Sequence, residues 1–202
     1  MSNAATGTSA TLKELKQACW DEEIYARATT YIFERRRNVL RNQLLVLDLI
    51  HVITPTLLGL LILGPLSTTP RWLVVALGLL AIAGSAITTV GIVMGWSRRL
   101  SEAHHSHVQN LSIADAYERL VKSPPKLKDT FMSKKAAVDA RNEVQTQSDG
   151  GIAISQHEKA FGHRAAHRHR KRPCAGCDKV PLSLRSSDCS VCGSFKLLPF
   201  VW

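Results

Sequence analysis

Cys174, Cys177, Cys189 and Cys192 are four of the five cysteines in the chain, and they stand as two CxxC pairs separated by eleven residues. Two thiolates two residues apart fold back on one cation, so two such pairs supply the four sulfurs of a tetrahedral zinc site. Four protein sulfurs leave no open coordination position for water or substrate, so the expected zinc is structural and not catalytic. Nothing in the sequence marks the fifth cysteine, Cys19, as activated, and it reads as a small buried hydrophobe.

The remaining reactive side chains assemble no further chemistry. The sequence contains no nucleophile–base pair, phosphate-binding glycine loop or open metal site, which argues against an enzyme. His104 and His107 share a helical face beside His105 but have no carboxylate or thiol nearby, and the trio reads as a solvated or interfacial cluster. Directly before the first cysteine pair runs a basic stretch containing Arg164, Arg168, Arg170, Lys171 and Arg172. Three uses fit it equally: a nucleic-acid contact, an anionic-lipid contact, or a solvated tether.

The elements that must carry these residues follow from a sharp partition of charge. Between Leu44 and Trp96 the only formal charges are Asp48 and Arg71, whereas residues 97–172 carry fifteen Lys or Arg against eight Asp or Glu. Most of the net charge of +10 therefore sits just after an apolar block. Leu44–Gly64 and Trp72–Trp96 are each long enough, at about 1.5 Å per residue, to cross about 30 Å of hydrocarbon. Pro65 and Pro70 in the stretch between them interrupt the helix, which predicts a transmembrane hairpin. The run starts too late, and lacks the small-residue cleavage site, for a signal peptide. Arg35, Arg36, Arg37 and Arg41 precede the first span and Arg98 and Arg99 follow the second, so both termini are expected in the cytosol. That compartment keeps thiols reduced and available for metal.

Two patterns mark the spans themselves. Gly78, Ala81, Ser85, Thr88, Gly91 and Gly95 recur at three- and four-residue steps on the second, a small-residue face expected to pack closely against another helix, of the same chain or of a neighbouring subunit. On the first, Asp48, His51 and Pro55 share a face. An ionisable pair at that depth fits a pore or water path, although Asp48 is close enough to the boundary to stay hydrated.

The flanks complete an all-α membrane protein. Residues 1–10 are expected to be a disordered tail. Residues 11–43 form an amphipathic helix opened by a capping box at Thr11 and Glu14, one that can run on into the membrane helix. The hairpin occupies 44–96 and cytosolic helices 97–145, the latter split at Ser123-Pro124-Pro125 into Arg98–Val121 and Leu127–Val144. Residues 146–172 are expected to be a linker, polar over Thr146–Gly151, followed by a basic helix. Residues 173–202 form a small zinc ribbon.

Together, several segments carry a resemblance. Cys19-Trp20, Tyr31-Ile32-Phe33-Glu34-Arg35-Arg36, Trp96, Asn110-Leu111, Glu158-Lys159 and Gly162-His163-Arg164 accompany the hairpin and the Cys-Ala-Gly-Cys…Cys-Ser-Val-Cys-Gly pattern. The chain resembles the mobilome CxxCx(11)CxxC proteins, which are similar in turn to the SLATT class of two-transmembrane effectors. The resemblance implies an effector of bacterial conflict systems, encoded beside sensors such as nucleotide-signal synthases or reverse transcriptases, that damages the inner membrane when triggered. It implies no catalytic residues. Two functions follow as expectations: an oligomerising, membrane-permeabilising defence effector, or an anchored zinc-ribbon adaptor that docks nucleic acid or a partner protein.

Overall fold

The computed structural model describes residues 11–63 and 70–195, without the side chains of residues 58, 60–63 and 71. The expected tail at 1–10, the loop between the two apolar runs at 64–69 and the end of the cysteine-bearing segment at 196–202 lie outside the described residues. Every described element is a helix: α1 (Leu12–Leu63), α2 (Arg71–Val93), α3 (Trp96–Lys122), α4 (Lys128–Gly150) and α5 (Gln156–Arg170), with no strand among the described residues. The chain divides into two units, one built from residues up to 34 and from 105 onward, the other from residues 35–104.

In the first unit, α1 opens where its capping box places it. The Thr11 N–H donates to Glu14 Oε2 at 2.7 Å and the Glu14 N–H to Thr11 Oγ1 at 3.3 Å, so two of the helix's orphan donors are satisfied. One face of α1 buries Cys19 and Ala26 against Ile113, Ala114, Tyr117 and Leu120 of α3 and Phe131 and Val138 of α4. Burial raises the Cys19 thiol above its ordinary range, as befits a core residue and not a reactive one. The Tyr117 hydroxyl reaches out of this core to donate to Asp139 at 2.8 Å, so its polar tip is satisfied.

α3 stops at Lys122, just ahead of Pro124 and Pro125, as the proline pair dictates. α4 departs from expectation: it runs through Thr146 to Gly150, where a polar linker was expected. Thr146, Gln147 and Ser148 are exposed, but the polar residues on either side of them turn inward. Gln145 and Asp149 are buried, Gln145 donates to Asp149 at 2.8 Å, and buried Asn110 of α3 donates to the other Asp149 oxygen at 2.7 Å. A satisfied buried network stabilises the last five residues of a helix whose composition there reads as loop.

α5 starts at a capping box in which Ser155 accepts from the Glu158 N–H and Glu158 caps the Ser155 N–H. It has two working faces. Gly162 and Ala166 lie against α1: a Cβ on Gly162 would stand 2.5 Å from the Ala28 carbonyl oxygen and 2.8 Å from Ile32, so only glycine permits this approach. Ala166 packs with Ile24 and Ala28. The opposite face, His157, Phe161 and Arg164 at i, i+4 and i+7, meets the cysteine-bearing segment.

In the second unit α1 continues past Pro55 to Leu63. α2 supplies Trp72–Val93, 22 residues and the one helix among the described residues long and apolar enough to cross a membrane by length and composition. Its surface is largely bare, with Ile82 69%, Ile92 75% and Val93 82% exposed. α2 ends at Val93, three residues short of the expected Trp96, because Gly95 adopts φ +66 and the Met94 and Gly95 N–H groups turn back to Val90 and Ile92. A glycine just past a helix end is a stop signal in its own right.

The small-residue face is consequently divided. Gly95 makes the turn, and Gly91 faces Trp96, whose ring would stand 3.0 Å from an added Cβ. Close approach of the two apolar runs occurs at Gly84, where Ile50 would stand 3.2 Å from a Cβ, and at Thr88, whose hydroxyl contacts His51 Nε2. A Cβ added at Gly78 would meet no neighbouring group within 4 Å, Ala81 is half-buried and Ser85 is exposed.

Candidate metal centre

Each CxxC pair closes a tight turn. The Asp178 N–H donates to the Cys174 carbonyl at 2.8 Å, and the Gly193 and Ser194 N–H groups donate to the Cys189 carbonyl at 2.8 and 3.0 Å. Asp178 leaves the first turn with φ +52, a left-handed conformation that aspartate tolerates better than most residues. The two turns press together at Gly176, where a Cβ would stand 2.6 Å from Val191. A Cβ at Gly193 would collide with the Ser187 backbone. Both glycines are thus required by close approach.

This packing brings the four sulfurs of Cys174, Cys177, Cys189 and Cys192 within 4.8 Å of one another, with Cys177 and Cys192 at 3.9 Å. A tetrahedron with metal–sulfur bonds of about 2.3 Å has sulfur–sulfur edges of about 3.8 Å, so the donor set fits a tetrahedral cation. Cys174 and Cys192 are buried and the other two half-buried. The Gly176 N–H points at Cys174 Sγ at 3.4 Å. The Cys192 and Val191 N–H groups hold the Cys189 thiol down to about 7 and favour its thiolate, whereas burial, with the neighbouring Cys174 and Cys189 sulfurs, pushes the Cys192 thiol up. The group can bind a metal and complete its coordination. Among the described residues the centre is a pair of turns laid on α5, with no strand.

The basic run is placed mostly inward. Arg164 is 9% exposed and donates through Nε to the Ser183 carbonyl at 2.7 Å and through Nη1 to Ser187 Oγ at 3.0 Å and the Cys192 carbonyl at 3.3 Å. Arg170 donates to Glu23 at 2.6 and 2.8 Å and to Glu118 at 3.0 Å. Arg172 lies 4.5 Å over the Trp20 ring. Arg168 and Lys171 alone among the five are exposed, and Lys171 ends α5 in a left-handed conformation.

Sequence reasoning missed the acidic partners of this run. Glu23 is fully buried and also pairs with Arg27, which reaches Asp115 at 3.0 Å and Glu118 at 3.1 Å. The i, i+4 spacing of Glu23 and Arg27 was the available signal, hidden inside the acidic triplet Asp21-Glu22-Glu23. Asp48 is exposed, whereas His51 is engaged by Thr88. His104 and His105 are exposed, and His107 Nδ1 lies 3.3 Å from the Thr30 carbonyl oxygen.

The model of the mobilome CxxCx(11)CxxC protein family matches residues 16–195, and the chain belongs to that family. The match takes in α1 from residue 16, all of α2 to α5 and the four clustered cysteines. No curated protein and no solved structure matches the chain.

Proposed function

We propose that this mobilome CxxCx(11)CxxC protein is the membrane effector of a mobile-element-encoded bacterial defence system of the abortive-infection type. In this reading α2 and the last part of α1 form a two-helix hairpin in the inner membrane, with both termini in the cytosol. Subunits assemble there and permeabilise the bilayer when a partner sensor, of the nucleotide-signal or reverse-transcriptase-linked kind, triggers them. The observation that carries the reading is the bare apolar surface of α2, which needs lipid or other copies of the chain to cover it. The resemblance to SLATT effectors supports the same conclusion, as does the mobile-element association of the family.

The four-cysteine centre holds structural zinc in this reading, since four thiolates in tetrahedral array suit zinc and leave it no catalytic position. The adaptor alternative needs a basic run on the surface to dock nucleic acid or a partner. Arg164 and Arg170 are committed inside the fold, which favours the effector.

The test is induced expression with the cognate trigger, read as membrane depolarisation and cell survival. Exchanging residues 44–96 for an unrelated hairpin is expected to keep the protein in the membrane and abolish depolarisation. A fully active chimera would defeat the effector reading.

A further inference from the structure

We infer that Arg164 is an outer-sphere positioning residue of the cysteine centre, and that through it metal loading and the seating of α5 on α1 become one event. The inference rests on the metal reading above and adds a regulatory consequence to it. Arg164 grows from α5, yet its guanidinium reaches three groups of the cysteine segment: the Ser183 carbonyl, the Ser187 hydroxyl and the Cys192 carbonyl. Its Nη1 also lies 3.9 Å from Cys192 Sγ. Four thiolates around a divalent cation leave two negative charges, and a permanently charged fork of donors is the side chain best suited to offset them in a buried place.

The same helix makes the other half of the connection. His157 Nδ1 lies 2.9 Å from the Ser194 carbonyl oxygen and Phe161 meets Phe195 edge-to-face with ring centroids 5.7 Å apart, so three residues on one side of α5 are fixed by the cysteine segment. On the other side, Gly162 and Ala166 lie against α1, and Arg170 pairs with Glu23 of α1 and Glu118 of α3. The segment over residues 173–202 has only thirty, short of the roughly 40 below which a chain usually needs a metal or other staple to fold. When it loosens, Arg164 is left as a buried charge without the acceptors that satisfied it, which destabilises the packed position of α5. Loss of metal therefore propagates to the helix that covers α1.

The experiment uses the full chain in detergent micelles. Amide hydrogen exchange is followed with zinc bound and after chelation, and zinc affinity is measured by competition with a chromophoric chelator for the wild type, Arg164→Lys, Arg164→Gln and the exposed control Arg168→Gln. Chelation is expected to remove protection from α5 as well as from the cysteine segment, while the α3–α4 core stays protected. Arg164→Gln should weaken zinc binding about 10- to 100-fold, the usual effect of losing an outer-sphere partner. Arg164→Lys should recover part of that loss and Arg168→Gln should match the wild type. An α5 that stays protected after chelation overturns the coupling even where zinc binds. So does wild-type zinc affinity in Arg164→Gln, and a chain that binds no zinc at all removes the metal reading along with it.

Discussion

Glu23 shows what a buried charge demands of its neighbours. It is 0% exposed, shares one carboxylate oxygen with Arg27 and Arg170, and is therefore stable only while both guanidinium groups stay in place. Removing one partner of a buried pair costs about 3–5 kcal/mol, because the remaining charge cannot return to water. Arg170→Met is expected to destabilise the first unit by that amount in chemical denaturation, whereas Arg168→Met, at an exposed position of the same helix, should stay within about 0.5 kcal/mol of wild type. Glu118 adds a pH dependence. The hydrogen bond from Arg170, aided by Lys122 and opposed by burial, holds its carboxyl at about 2, below the ordinary 4.5. A carboxylate depressed in the folded state contributes stability that is complete above its ordinary value and is lost as pH falls from there toward 2. Midpoints measured across that window should fall more steeply for the wild type than for Glu118→Gln.

Among the elements, the proposed metal governs the cysteine segment and glycine governs α5. In the proposed reading, replacing Cys177 or Cys189 by serine should release the metal and unfold residues 174–195 while α2 stays in the membrane, since structural zinc in such small modules supplies on the order of 10–16 kcal/mol of apparent binding free energy. Metal content and limited proteolysis of the purified variant check both halves. Gly162→Ala tests the α1–α5 crossing. Its added methyl would meet the Ala28 carbonyl oxygen and Ile32, contacts that neither a backbone nor a packed isoleucine yields cheaply, and a cost of about 1–3 kcal/mol is expected from such overpacking. Gly95→Ala should instead act on the turn between α2 and α3, costing about 1–2 kcal/mol through its left-handed backbone and not through any lost helix contact.

For the whole molecule the governing quantity is the placement of charge around the apolar runs. With Arg35, Arg36, Arg37 and Arg41 before them and Arg98 and Arg99 after, the flanks carry a basic excess that, in the proposed topology, stays in the cytosol. Single cysteines placed before residue 41 or after residue 98 in a background lacking native thiols should be protected from an impermeant maleimide added outside intact cells. One placed at Ser67 to Thr69 should react. A C-terminus labelled from outside would overturn the orientation, and with it the argument that a reducing compartment keeps the cysteines free for metal.

The sequence by itself determined what depends on neighbours close along the chain. The CxxC pairs, the capping box at Thr11 and Glu14, the proline stop after α3 and the apolar run beginning at Trp72 each rest on spacings of a few residues or on composition within one element. The structure contains each of them. Ser155 and Glu158 had the same local legibility, a capping-box spacing that was present to be read. Only the tertiary structure decided which members of a charged or polar run face inward. Arg170 finds Glu23 across 147 residues and Arg164 finds Ser187 across 23, so no local pattern separates them from exposed Arg168 and Lys171. The same holds for Gln145 and Asp149, which continue α4 because Asn110, 39 residues before Asp149, awaits them on α3. Gly95 makes the point in reverse: its spacing suits either a helix crossing or a helix end, and its left-handed backbone, with Trp96 folded against Gly91, places it at the end of α2.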